Sequence, residues 1–273
     1  MYVFGAIFLA AQIMSADGNP AATPTAIPMR RIDPLSATSL LLKPRKDGKN
    51  VATATGFVVA HGNRLFLITN RHVVTGYDPW RKKQTFIAPD ALWICHHGMA
   101  PGAWSPQVEP LFEAGKRRWL EHPLGPAIDV VALPLTSLPS DKVKPYPLNY
   151  AVLAESDMEL VVAMPVSIVG FPEGMSGPGG FAVWKTGHVA SDPDLDLGDK
   201  PLFLIDATTR GGMSGSPVYL RVTGGYTKRG GGLNVLPGVF TRFLGVYSAQ
   251  AQELEIGFVW KPQVITEILE AGN

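Results

Sequence analysis

A single cysteine, Cys95, leaves this chain without any internal disulfide. Its stability therefore has to come from a packed core. Charge is scarce as well: 17% of the 273 residues are Asp, Glu, Lys or Arg, and the formal net charge is +1. That balance supplies no basic face for nucleic acid or for an anionic membrane. The apolar stretch from Tyr2 to Met14 is too short to cross a bilayer as a helix, so no membrane-spanning segment is expected in the mature chain. There is no internal repeat and no phosphate-binding loop. Cys95-His96-His97 offers metal-ligand residue types, but neighbours on a strand face opposite sides and no second Cys/His cluster completes a site. No metal or cofactor is expected. Cys95 reads as a core residue with surface histidines beside it, and Lys116-Arg117-Arg118 as a solvated face.

What is present is apolar and turn-rich. The chain is 46% hydrophobic, with Gly 29 and Pro 24, which suits many short strands joined by turns. Residues 1–16 read as a signal peptide: Gln12 is the one polar side chain in the apolar run, and Ser15-Ala16 supply small residues for cleavage. No Lys or Arg precedes the run. With such a signal the protein is exported, to the periplasm or beyond; without it, cytoplasmic. Residues 17–35, rich in Pro, Ala and Thr, read as a linker.

Three segments carry chemistry. In Arg210-Gly211-Gly212-Met213-Ser214-Gly215-Ser216-Pro217, a serine sits among glycines ahead of an apolar strand. That setting lets a hydroxyl project from a tight turn with backbone N–H groups converging beside it. In Leu67-Ile68-Thr69-Asn70-Arg71-His72-Val73-Val74, a histidine closes an apolar strand, placing a group that titrates near neutrality at the edge of a core. In Ala127-Ile128-Asp129-Val130-Val131-Ala132-Leu133, a carboxylate heads a wholly apolar strand, where it is costly unless paired. Asp78 and Asp90 are rivals for that role, but both lie in turn-like contexts. Gly174-Met175-Ser176-Gly177 partly copies the serine motif without an apolar strand directly after it.

These segments, with Gly56-Phe57-Val58-Val59 ahead of the histidine, resemble the chymotrypsin-like (trypsin-fold) serine proteases, in the order His, Asp, Ser. Lacking disulfides, the chain looks like the bacterial branch that includes the HtrA and glutamyl endopeptidase protease domains. The resemblance covers roughly residues 36 to 271. It implies an all-β fold of two packed antiparallel six-stranded β-barrels with a short C-terminal helix. Residues 36–135 would form the first barrel with His72 and Asp129, residues 136–150 a linker, and residues 151–273 the second barrel with Ser214 and a helix over 263–271. No peptide-binding PDZ module of the kind found in the HtrA proteases is expected after Asn273. Within these bounds, 101–110 reads as a loop, 161–171 as strand and 224–232 as a flexible hairpin loop.

By resemblance the activity is serine endopeptidase, with a protein or peptide substrate and no cofactor. His72 is the general base, Asp129 its orienting acid, Ser214 the nucleophile, and the N–H groups of Gly212 and Ser214 the oxyanion hole. Thr208 would lie at the base of the S1 pocket and Thr209 on its wall. Tyr247 and Ser248 would line it, and Gln250 would narrow its entrance. None carries charge, which implies a neutral, small-to-medium P1 residue. Met213 stands where many animal members have the aspartate that pairs with a freed N-terminus, so no such activation is expected. Activity should rise with an apparent pKa of roughly 6 to 7. Two alternatives use the same residues: a catalytically silent relative that binds peptides or a partner, and an esterase.

Overall fold

The computed structural model describes residues 32–272, apart from residues 101, 137, 252 and 253. The expected signal peptide 1–16 and linker residues 17–31 lie outside the described residues.

The first half opens with β1 (Ser39–Lys46), β2 (Lys49–Asn50), β3 (Ala54–His61) and β4 (Arg64–Thr69), joined by tight turns. Helix α1 (Arg71–Thr75) follows β4 directly and ends at Gly76, whose left-handed backbone (φ 72°) supplies the C-cap. Only glycine fits there, because a Cβ would stand 2.3 Å from the Phe86 carbonyl oxygen. A hairpin of β5 (Tyr77–Asp78) and β6 (Lys83–Gln84) leads to β7 (Ala91–His97) and β8 (Trp104–Pro110). A second hairpin, β9 (Phe112–Glu113) and β10 (Lys116–Arg117), precedes β11 (Leu120–Glu121) and β12 (Val131–Pro134).

Eight of these strands form one sheet along the path β11-β12-β4-β3-β1-β7-β8, with β2 on β1. Among the described residues no ladder joins β8 to β11, so the first half is an open eight-stranded sheet where a closed six-stranded barrel was expected. β8 itself was expected to be loop. Its two prolines, Pro106 and Pro110, are tolerated because β8 is an edge strand paired only with β7. Arg118, expected in solvent, spans the gap. Its guanidinium reaches Glu109 Oε1 at 2.8 Å, the Pro110 carbonyl at 2.6 Å and Thr136 Oγ1 at 2.6 Å, tying the end of β8 to the segment after β12.

The connection through 136–149 carries no strand or helix among its described residues and ends in a short helix, α2 (Tyr150–Ala154). The second half comprises β13 (Pro165–Gly170), β14 (Val183–Val189), β15 (Leu202–Asp206), β16 (Pro217–Thr223), a hairpin of β17 (Tyr226–Thr227) and β18 (Leu233–Asn234), β19 (Val239–Ala251) and β20 (Ile256–Trp260). Six of them close into a barrel in the order β13-β14-β15-β20-β19-β16. The strand expected over 161–171 is confined to β13, and the loop expected over 224–232 contains β17.

One core crosses both halves. Helix α3 (Gln263–Ala271) leaves the barrel and packs on β11 and β12. Its Val264, Ile265, Ile268 and Leu269 are buried with Phe57, Phe66 and Val130 of the sheet and with Tyr219, Phe243 and Trp260 of the barrel. Each such aliphatic side chain contributes about 1.5–3 kcal/mol by leaving water. The N-terminal segment makes the reciprocal strap: Ser39 Oγ donates to the Val169 carbonyl at 2.8 Å, and Asp33 pairs with Arg221 on β16. No described helix is long and apolar enough to cross a membrane.

Candidate active site

The strand pair β4–β12 fixes the acid and the base. Thr69 faces Val131 across the ladder. Asn70 and Asp129 therefore follow and precede paired residues, and Asn70 Nδ2 donates to the Asp129 carbonyl at 2.7 Å. His72 lies in the first turn of α1, so its backbone N–H has no helical partner. Asp129 Oδ1 accepts that N–H at 2.8 Å, while Asp129 Oδ2 meets His72 Nδ1 at 2.7 Å. One carboxylate thus holds both the backbone and the ring of His72, and fixes the tautomer that leaves Nε2 free to accept a proton. Asp129 is 1% exposed, and the His72 side chain 13%. Burial is the strongest single influence on His72 and pulls its pKa down. The Asp129 charge, its hydrogen bond and the Asp78 charge together exceed that pull, leaving the imidazole above its ordinary value.

Ser248, on β19, donates to Asp129 Oδ2 at 2.6 Å. Its carbonyl accepts the Ser214 hydroxyl at 2.9 Å. Ser214 Oγ thus rests on β19.

Glycines set the nucleophile loop. Gly212 (φ 87°) and Gly215 (φ 86°) take left-handed conformations, and a Cβ would stand 2.3 Å from the Phe171 carbonyl oxygen at the first and 2.1 Å from the Thr55 carbonyl oxygen at the second. The Gly211 carbonyl accepts the Glu173 N–H at 2.6 Å. C=O and N–H point opposite ways across a trans peptide, so the Gly212 N–H is turned away from Glu173. Among the described residues neither the Gly212 nor the Ser214 N–H has an acceptor. Two donors one residue apart are therefore available to an oxyanion. Met213 between them is buried among Val189, Phe203 and Leu244 in the barrel core.

Thr55 reaches this loop from the other half and was not singled out in the sequence. Its N–H donates to the Ser214 carbonyl at 2.9 Å and its Oγ1 to the Gly212 carbonyl at 2.8 Å. Thr69 Oγ1 in turn donates to the Thr55 carbonyl at 2.8 Å. The one available signal was a pair of threonines buried in otherwise apolar strands next to Gly56 and Asn70.

The pocket residues divide. Thr208 is exposed and donates to Glu255 Oε2 at 3.2 Å. Thr209 is buried, and its hydroxyl meets that of Tyr247. Burial pushes the Tyr247 phenol up to about 12, against the opposing hydrogen bond from Thr209, so it stays neutral. The Tyr247 ring lies over Gly257, where a Cβ would stand 2.7 Å from Tyr247 Cε2. The Ser248 side chain turns to Asp129 rather than toward a pocket. Gln250 belongs to β19, opposite Gly257, and its side chain lies outside the described residues. Arg210 folds back on the Thr209 carbonyl at 2.9 Å.

The histidines beside Cys95 also differ from expectation. Both His96 and His97 are buried, whereas Cys95 is only half-buried. Among the described residues no group of three or more His, Cys, Asp or Glu is placed to hold a metal ion.

The family model of the trypsin-like peptidase domain matches residues 54–224, which include His72, Asp129 and Ser214. The chain belongs to the trypsin-like peptidases. No curated protein matches it. Among solved structures this trypsin-like peptidase is similar to the serine endoprotease from Yersinia pestis, at 11% identity and a TM-score of 0.52 over 86% of this chain and 62% of that one. The chain thus spans under two thirds of that protein's length. It is also similar to the thermostable serine protease AL20 from an extremophilic microorganism, at 14% identity and a TM-score of 0.49 over 88% of this chain and 98% of that one. A third likeness is to a Glu endopeptidase, at 14% identity and a TM-score of 0.44 over 86% and 90%.

Proposed function

We propose that the protein is a serine endopeptidase working through Ser214, His72 and Asp129 and an acyl-enzyme. The observation that carries this reading is the double grip of Asp129 on His72, with both carboxylate oxygens engaged on one residue. Ser214 Oγ leaves the Ser248 carbonyl, gives its proton to His72 Nε2 and attacks the scissile carbonyl. The developing oxyanion takes the N–H groups of Gly212 and Ser214. His72 then protonates the leaving amine, and water repeats the cycle on the acyl-enzyme. Fluorophosphonate labelling tests it. The wild type should be labelled at Ser214, and Ser214→Ala and His72→Ala should not. A folded wild type that resists labelling would point instead to a silent, peptide-binding relative.

For specificity the reading is a neutral, small-to-medium P1 residue. Support comes from Thr209 and Tyr247, which bring hydroxyls and no charge. A cationic or anionic P1 side chain would lose its hydration there without a partner. Cleavage of a peptide library mainly after Lys, Arg or Glu would overturn this, whatever the fate of the triad. Peptide and ester substrates compared on the same enzyme separate a peptidase from an esterase.

A further inference from the structure

The hairpin of β5 and β6 follows α1, and with it His72, immediately. Asp78 shapes the turn at its tip by accepting the backbone N–H groups of Trp80 at 2.8 Å and Arg81 at 3.0 Å. The turn aims Trp80 across the molecule at the barrel. There the indole stacks on Phe258, with centroids 4.1 Å apart and planes 5° from parallel, and lies 6.2 Å from the Trp260 ring. Lys200 Nζ stands 5.5 Å from the same indole. The indole Nε1–H, a donor only, points to Ser248 Oγ at 3.3 Å. Ser248 Oγ donates onward to Asp129 Oδ2.

We propose that Trp80 is a positioning residue for the acid–base pair, acting through Ser248. The inference rests on the triad reading above and adds a residue to it. A serine hydroxyl has one proton and rotates freely. With Trp80 occupying an acceptor lone pair of Oγ, the Ser248 proton is directed to Asp129. Hydrogen bonds in such a chain also strengthen one another. Ser248 thereby takes up part of the charge that Asp129 presents to His72. Asp129 and Asp78 are the charges acting on His72; Asp78 is itself paired with Arg81 at 3.6 Å.

The test is the rate of Ser214 labelling by a fluorophosphonate across pH. It compares wild type, Trp80→Phe, Ser248→Ala and the double variant. Phenylalanine keeps a ring to stack on Phe258 and removes the N–H together with part of the indole's area, and thermal unfolding checks that each variant is folded. In Trp80→Phe the plateau rate should fall about three- to tenfold, the size of one hydrogen bond. The apparent pKa should move upward, because Asp129 keeps more of its charge for His72. In the Ser248→Ala background the same substitution should change neither quantity further. A wild-type rate and pH profile in Trp80→Phe would overturn the proposal. So would an equal loss in both backgrounds, which would make Trp80 a packing residue. Failure of the wild type to label would instead bring down the triad reading, and this inference with it.

Discussion

The second half closes on itself through six hydrogen-bonded strands, whereas among the described residues of the first half no ladder joins β8 to β11 and the Arg118 side chain bridges the gap. The closed half does not hold its functional residue more firmly. His72 and Asp129 hang from β4 and β12, neighbours in the interior of the open sheet, where the ladder is continuous. Ser214 sits outside the barrel ladder, on the loop between β15 and β16, and is steadied by Thr55 from the other half. Position within a sheet matters more for the site than whether the sheet closes.

That comparison breaks first at Asp129. Asp129→Asn keeps the shape and removes the charge that fixes the His72 tautomer. Labelling of Ser214 should fall about 10³- to 10⁴-fold. The apparent pKa of whatever activity remains should drop, since Asp129 supplies the larger contributions that raise His72 and Asp78 only the smaller one. An unchanged pH profile in this variant would remove Asp129 from the site.

The next two changes weigh the closures against each other. Arg118→Met removes the cation from Glu109, itself 1% exposed, and leaves the carboxylate its hydrogen bonds from Thr136. Breaking a buried pair costs about 3–5 kcal/mol. The double change Arg118→Met with Glu109→Leu should recover most of the loss, because neither charge is then stranded. In the barrel, Gly245 has φ 138°, and a Cβ would stand 1.8 Å from the Trp260 carbonyl oxygen. Gly245→Ala should cost about 3 kcal/mol by strain and clash. Chemical denaturation measures both. A negligible effect of Arg118→Met would mean that the open sheet needs no bridge.

The three residues of the proposed triad stand out in the sequence because each lies in a local pattern: a strand running into Asn-x-His, an acid heading an apolar strand, a serine among glycines. The pocket does not, because its depth depends on alternation set by distant partners. Ala207 donates to the Glu255 carbonyl at 3.2 Å, which turns Ala207 and Thr209 inward and Thr208 out. Counting back from Ser214 cannot supply that register. β8 was hidden by two prolines whose harmlessness depends on lying at an edge. The first barrel's closure depends on pairing between segments far apart in the chain, which no local pattern encodes.

His96 and His97 show the same limit and give the mildest test. Alternation along β7 sends one histidine to each face, and a sheet with one face in water would wet one of them. Here both faces are covered. His96 shares a face with buried Leu92 and Ile94, and its Nε2 has no hydrogen-bond partner among the described residues. His97 is enclosed by Trp104 at 4.3 Å, Tyr146 at 5.0 Å and Phe181 at 5.7 Å, with Nε2 2.9 Å from the Ala37 carbonyl. Burial pulls both down to about 4, the opposite of His72 in the same half. The unfolded chain takes up protons near pH 6.5 that the folded chain refuses until about pH 4. Stability is therefore full above the unfolded value and falls as pH drops through that window, by up to about 3 kcal/mol for each histidine. His72 contributes with the other sign: its pairing stabilises fully below its unfolded value and fades as pH rises through the raised one. In His96→Leu, which places an apolar group among apolar neighbours, stability at pH 7 should hold or rise, and the loss between pH 6.5 and 4 should shrink by about half. Urea unfolding at several pH values measures this. An acid slope equal to that of the wild type would show that His96 takes up its proton while folded.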